Sequence, residues 1–268
     1  VEWRVINAAD YGFVQRRRRT FIFASRNDTD HYASLEDSDP RTILSSSGFF
    51  ARGFPVDGPV KGGYREFSVC VEDYGTLVDV SDGFHEPIGN SGVMVEHHAF
   101  TADMVSDYDG PRAMLGSVIV PCSDERYYQD SSLDKWREMK GPKRIQRVNK
   151  KTGIEYMYSE GGIPFPDPLD RPGRTMLTSE GSKNRSSHLI EDPSTGRYRI
   201  LTPVECERLN GFPDDWTDTM SERQRYFTMG NALVVGLIER MGKILVEIEG
   251  GSQITRLPRQ RAMEDFQI

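Results

Sequence analysis

Four consecutive arginines, Arg16 to Arg19, follow Gln15 near the start of the chain, and a guanidinium run of this density has two chemical uses. A guanidinium is cationic at any working pH and presents a planar fork of donors, so it can stabilise negative charge developing on an oxygen or grip a phosphate. The plain alternative is a solvated basic patch. A second basic stretch carries Lys135, Arg137, Lys140, Lys143, Arg144, Arg147, Lys150 and Lys151 together with Trp136, against only Asp134 and Glu138; it suits a nucleic-acid backbone, and its plain alternative is a charged loop. A third combines Arg174-Thr175 with Ser179 to His188, where Lys183 and Arg185 sit among short hydroxyl and amide side chains able to position a duplex. Three cysteines, Cys70, Cys122 and Cys206, lie far apart with no C-x-x-C spacing. No metal site or disulfide framework is indicated, and a reducing, cytoplasmic setting is expected.

The elements that must hold these groups read unevenly. Hydrophobic residues make up 37% and charged residues 28% of the 268, and no apolar run approaches the roughly 18–20 residues of a membrane span. A formal charge of −7 argues against an indiscriminate coat for nucleic acid, while leaving room for local basic surfaces. Residues 1–25 read as strand, loop and strand: Val1 to Ile6 alternates, Asp10-Tyr11-Gly12 turns, and Thr20 to Ala24 is apolar. Because that alternation is already under way at Val1, the sequence is expected to begin within a domain. Residues 26–192 show short β-like pieces, such as Phe67-Ser68-Val69-Cys70-Val71 and Gly92-Val93-Met94-Val95, broken by Gly, Pro, Asp and Ser, and are expected to form an irregular, β-rich insert. Over 193–250 helices return. Thr202-Pro203-Val204-Glu205 is an N-terminal capping pattern with Gly211 beyond the last turn, and Leu233, Val234, Leu237, Ile238, Met241, Ile244 and Leu245 recur at helical spacing. Residues 251–268 read as a loose tail.

Three blocks carry a resemblance. The first, Asn7-Ala8-Ala9-Asp10-Tyr11-Gly12-Phe13-Val14-Gln15-Arg16-Arg17-Arg18-Arg19, the second, Arg199-Ile200-Leu201-Thr202-Pro203-Val204-Glu205-Cys206-Glu207-Arg208-Leu209-Asn210-Gly211-Phe212-Pro213, and the third, Arg225 to Val235 around Gly230-Asn231-Ala232, are similar in order and spacing to the last three conserved blocks of the DNA (cytosine-5) methyltransferases. Val14 stands where that family often has proline. The resemblance implies an α/β chain: part of a Rossmann-like S-adenosylmethionine methyltransferase fold, with the insert as its target-recognition domain.

It also implies roles. In such an enzyme a thiolate adds to cytosine C6, charge moves toward O2 and N3, and C5 becomes the nucleophile. Arg19 is expected at O2 and Arg17 in support beside the base or its phosphate. The cytosine must leave the duplex, at a cost of a few kcal/mol, and DNA contacts are expected from Gln15, Arg137, Lys143, Arg144, Arg147, Arg174, Lys183 and Arg185. Asn231 and Ala232, read as a helix start, are expected to face S-adenosyl-L-methionine, otherwise held mainly by an N-terminal half. Arg199, Glu205 and Arg208 are expected to be architectural. The family's glycine-rich loop, Pro-Cys nucleophile and Glu-Asn-Val block are not in this sequence; Pro121-Cys122 lies inside the insert and reads as accidental. The expected partners are therefore double-stranded DNA and a polypeptide bearing the nucleophile, so that this chain alone is inactive, in restriction–modification or phage DNA protection. The alternatives are a non-catalytic, sequence-specific DNA-binding module and a tRNA-methylating relative.

Overall fold

Glu2, Arg4 and Ile6 are the buried residues of the first strand, the reverse of what the apolar alternation of Val1, Trp3 and Val5 suggests. The computed structural model describes residues 1–60, 62–69 and 74–250; Cys70 and Val71 of one expected β-like piece, and the tail expected over 251–268, lie outside the described residues. The charged pair on that strand is buried because main-chain groups receive it. Glu2 accepts from the Phe49 amide at 3.0 Å, and Arg4 donates from its two terminal nitrogens to the carbonyls of Phe54 at 2.9 Å and Leu44 at 2.5 Å, which replaces water at those atoms.

By packing, the chain forms two compact units. One comprises Val1–Val5, Thr20–Asp107 and the chain from Ile238; the other comprises Ile6–Arg19 and Tyr108–Leu237. The first contains strands β1 (Glu2–Asn7) and β2 (Arg18–Phe23), which begin or end in the second unit, helices α1 (Asp30–Glu36), α2 (Pro40–Thr42) and α3 (Phe49–Gly53), strands β3 (Val56–Asp57) and β4 (Arg65–Ser68), helix α4 (Leu77–Gly83), and strands β5 (Ser91–Val95), β6 (His98–Ala102) and β7 (Val105–Ser106). Five strands form a sheet in the order β2-β1-β5-β6-β4, with β1·β5, β5·β6 and β6·β4 antiparallel. One apolar core gathers Leu35, Ile43, Leu44, Val93, Phe100 and Met104. Val1, Trp3, Ile22, Phe67 and Met94 line an open apolar groove instead.

The second unit holds α5 (Leu133–Lys140), the hairpin β8 (Lys143–Val148) and β9 (Glu155–Glu160), the short pair β10 (Ile190–Glu191) and β11 (Tyr198–Arg199), then α6 (Pro203–Asn210) and α7 (Glu222–Asn231). Helix α8 (Val235–Ile248) begins in this unit and continues in the first. Its main core is built from Val14, Leu115, Met176, Leu201, Leu209 and Tyr226; a smaller one surrounds Trp136, Leu189 and Ile200.

Residues 26–192 are mixed rather than chiefly β, since α1 to α5 all fall among them. These helices are at most eight residues long, too short to show a 3.6-residue period, and local caps mark several of them. Thr29 accepts from the Tyr32 amide, Asp39 from Arg41 ahead of Pro40, and Thr76 from Asp79. Helix α6 has the reciprocal capping box of Thr202 and Glu205, with Gly211 left-handed at φ 81° closing it.

Candidate functional site

A turn of 3-10 helix from Ala8 to Tyr11 ends at Gly12, whose φ is 91°. A Cβ there would lie 2.4 Å from the Pro111 carbonyl oxygen, so both conformation and space require glycine. Beyond it the chain doubles back, and the Ala8 amide donates to the Arg17 carbonyl at 3.0 Å. Gln15 is fully buried. Its amide donates to Asn210 Oδ1 at 3.0 Å and the Leu209 carbonyl at 3.3 Å, while its carbonyl oxygen accepts from the Met176 amide at 3.1 Å. Asn210 in turn donates to the Met229 carbonyl at 2.9 Å. This buried relay ties the three sequence blocks to one another.

Arg17 strengthens the junction. It is 2% exposed and donates to the carbonyls of Gly230 at 2.9 Å and Met176 at 3.1 Å. Burial, and then the neighbouring charge of Arg19, lower its guanidinium to about 10, which leaves it cationic at neutral pH. A Cβ on Gly230 would sit 2.3 Å from the Thr178 amide nitrogen, so that loop lies against α7 at a separation only glycine permits. Arg17 and Arg19, two apart in extended chain, share one side; Arg16 and Arg18 are exposed. Arg19 is half-buried, spends one donor on the Arg18 carbonyl at 2.7 Å, and meets no carboxylate within salt-bridge distance among the described residues. Arg17 thus serves the scaffold, while Arg19 is held by a single neighbouring carbonyl.

Asn231 and Ala232 do not open a helix. Asn231 is the last residue of α7, and the Ala232 amide is spent closing that helix on the carbonyls of Thr228 and Met229. What remains for a cofactor is the exposed Asn231 amide side chain. A single amide does not make a nucleoside cradle, so these two residues cannot by themselves hold S-adenosyl-L-methionine.

Of the residues expected on DNA, Gln15 is excluded by its burial. Arg174 is also a correction: it chelates Asp167 at 2.5 and 3.1 Å and donates to the carbonyls of Ser186 and Ser187. Arg185 is another, with donors on the carbonyls of Met139, Gly141 and Gly161. Within the basic stretch, Trp136 is core and Lys140 is buried on Asp167 at 2.9 Å and the Ser187 carbonyl at 2.8 Å. Arg137, Arg144, Arg147 and Lys183 are exposed and Lys143 half-exposed; Arg137 pairs with Asp134 at 3.0 Å and lies over the Phe165 ring.

Arg199, fully buried, joins Asp192 at 2.5 Å to Glu205 at 2.8 Å, whereas Arg208 pairs with Asp214 near the surface. Burial opposes ionisation of Asp192, but hydrogen bonds from Ser194 and Arg199 outweigh it and hold the carboxyl at about 2. Asp167 also sits at about 2: burial is again opposed, by Arg174 first and then by the charges of His188, Arg174 and Lys140. Burial pushes the Cys206 thiol far above its ordinary range, so it is no nucleophile. Among the described residues no cluster suits a metal ion, and no helix is long and apolar enough to cross a membrane.

Sequence reasoning missed Asn210, Met176 and Gly230 as parts of the site. Only Gly230 left a signal, as a glycine inside what is now a helix.

Comparison with known proteins places these features in context. The family model for C-5 cytosine-specific DNA methylase matches residues 1–247. The type II methyltransferase M.Sau3AI of Staphylococcus aureus is 44% identical over 250 residues, covering 93% of this chain and 59% of that protein. The DNA N-6-adenine-methyltransferase of Escherichia phage P1 is 23% identical over 242 residues, 84% of this chain and 29% of that protein. Among solved structures, the Entamoeba histolytica methyltransferase EhMeth matches with a TM-score of 0.36 and 12% identity, over 69% of this chain and 53% of its own. The chain therefore spans about three-fifths of the length of M.Sau3AI, and less of the other two.

Proposed function

Since the chain belongs to the C-5 cytosine-specific DNA methylase family, we propose that it supplies the DNA-recognition surface and the arginine wall of the pocket in which an extruded cytosine is methylated at C5. The observation that carries this reading is the buried relay from Gln15 through Asn210 to Met229, with Arg17 on Gly230 beside it. It fixes the arginine loop against the end of α7, and leaves Arg19 half-exposed on the strand that Arg17 anchors.

In this reading Arg19 donates to cytosine O2 as electron density moves into the ring, a charge-assisted contact that tightens as the oxygen becomes more negative. Arg17 is a positioning residue: spent on two carbonyls, it sets the strand and adds positive potential. Arg137, Lys143, Arg144, Arg147 and Lys183 meet the duplex, repaying the cost of extrusion. S-adenosyl-L-methionine is the family's cofactor and supplies the methyl group. Most of its contacts, the thiolate that adds at C6, and the rest of a Rossmann-like fold belong to polypeptide outside these 268 residues, either the remainder of one enzyme or a partner subunit, with the exposed Asn231 side chain left to add one contact. M.Sau3AI is a type II methyltransferase, which supports a restriction–modification role.

The test is transfer of a labelled methyl group to duplex DNA by this chain with and without a segment carrying the nucleophile. Transfer is expected only from the combination. There, Arg19→Ala should lower turnover far more than DNA affinity; equal losses in both would remove the catalytic role of Arg19. Transfer by the chain alone would overturn the division of labour.

A further inference from the structure

The hairpin β8–β9 stands in solvent on both faces. Apart from Lys143, Tyr158 and Glu160, every residue from 143 to 160 is exposed, among them Ile145, Val148, Ile154 and Met157 at 45–65%. A lone two-stranded ribbon is marginal in water, yet this one is fixed at its root. Arg185 clamps the carbonyls of Met139, Gly141 and Gly161 and pairs with Glu160 at 3.4 Å. Residues 143–160 carry five cations and two carboxylates in a chain of net charge −7. At about 3.3 Å per residue each six-residue strand is roughly 20 Å long, and a ribbon of two strands fits the major groove of B-DNA.

The two faces differ. Register pairs Ile145 with Tyr158 and Arg147 with Tyr156 on one face, and Gln146 with Met157 and Val148 with Glu155 on the other. On the first, the Arg147 guanidinium lies 3.8 Å above the Tyr158 ring, and the Tyr158 hydroxyl donates to Glu160 at 2.8 Å. Contact with the ring restricts where the guanidinium can lie, and a planar fork of donors suits a bidentate contact to guanine O6 and N7, whereas a phosphate contact needs only a charge. Lys150 and Lys151 sit in the turn, where the Asn149 side chain accepts from the Lys151 amide at 2.9 Å and Gly153 takes φ 70°.

We infer that residues 143–160 form a ribbon that enters the major groove of duplex DNA, with Arg147 reading a guanine edge and Lys150, Lys151 and Arg144 holding flanking phosphates. This rests on the DNA-recognition role proposed above, and converts Arg147 from a general phosphate contact into a specificity residue.

The test is selection from a pool of duplexes with a randomised centre, followed by salt titrations on the selected and on unselected duplexes, using the 268-residue chain, Arg147→Lys and Lys150→Ala/Lys151→Ala. Arg147→Lys keeps the charge and loses the fork. It should lower discrimination at one base-pair position roughly 5- to 150-fold while leaving affinity for unselected duplexes within about twofold. The double lysine variant should bind all sequences more weakly, its salt slope falling by about 2. Tyr158→Ala should relax the same position as Arg147→Lys, but less. Uniform weakening by Arg147→Lys, or unchanged preference, would overturn the assignment. If the unmodified chain selects a sequence and a variant with the hairpin shortened still selects it, the hairpin does not read the duplex and this inference alone fails. If the unmodified chain selects nothing, the recognition role falls with it.

Discussion

Replacing Glu205 by glutamine alters one oxygen atom and removes one charge, and the structure indicates a large effect. Each carboxylate oxygen accepts two donors: Oε1 takes Arg199 Nη2 at 2.8 Å and the Val120 amide at 2.9 Å, and Oε2 takes Arg199 Nη1 at 2.8 Å and the Thr202 amide at 2.7 Å. Whichever way the new amide is turned, its NH2 meets one guanidinium donor and one main-chain donor. A buried amide left without an acceptor costs about 1–3 kcal/mol. Stripping a partner from a buried ion pair costs about 3–5 kcal/mol, reduced here because Asp192 still holds Arg199 Nε at 2.5 Å. The total is about 4 kcal/mol, a large share of the roughly 5–15 kcal/mol that stabilises a typical domain. In urea, with m of about 1–3 kcal/mol/M, the midpoint should fall by more than about 1 M. Hydrogen exchange at the Val120 and Thr202 amides should accelerate with it. Adding Arg199→Met should cost less than the two separate losses predict, because the stranded cation goes with it. A Glu205→Gln protein within about 1 kcal/mol of the unmodified one, with both amides still protected, would refute the reasoning.

Other perturbations test other parts of the site. Gly230→Ala must push its new methyl group away from the Thr178 backbone; overpacking of about 1–3 kcal/mol should lower Tm by roughly 2–4 °C per kcal/mol, and methyl transfer by the completed enzyme should fall because the acceptor of Arg17 moves. Unchanged Tm and transfer would show that the contact yields easily. Asp167 and Asp192, both lowered from 3.8 to about 2, contribute stability that is complete above about pH 4 and lost as pH falls toward 2, roughly 2 kcal/mol each. Asp167→Asn and Asp192→Asn should therefore flatten the acid limb of a stability–pH curve, and an unaltered limb would assign acid sensitivity elsewhere. Cys206 should resist a thiol reagent at pH 8 until the protein unfolds. Cys122→Ala should leave transfer by the completed enzyme intact, whereas its loss would make Cys122 the nucleophile.

Much of the scaffold was legible where structure is local. The Thr202–Glu205 capping box and Gly211 mark α6 because caps act through neighbours three or four residues away. Helix α7 was passed over because it buries little beyond Tyr226, Met229 and Gly230 and exposes Phe227, although the Ser221–Gln224 capping box announces it. What escaped was burial decided at long range. Gln15 looks like a DNA contact in an arginine-rich run, and only a partner 195 residues away turns it inward. Charge alone likewise cannot separate Arg147, in solvent, from Lys140, Arg174 and Arg185, which are consumed by carbonyls and Asp167. The hairpin was read only as a basic stretch, though alternating segments around Asn149 to Gly153 carry a hairpin signal.

The relay from Gln15 to Asn210 also sets a timetable for biogenesis. At roughly 5–20 residues per second of synthesis, the first loop waits on the order of 10–40 s for acceptors that lie 194 and 195 positions downstream. Contacts of such separation also slow folding itself. A nascent chain interrupted before α6 therefore displays four arginines without the framework that orders them, and the loop settles only once α6 and α7 have both been made.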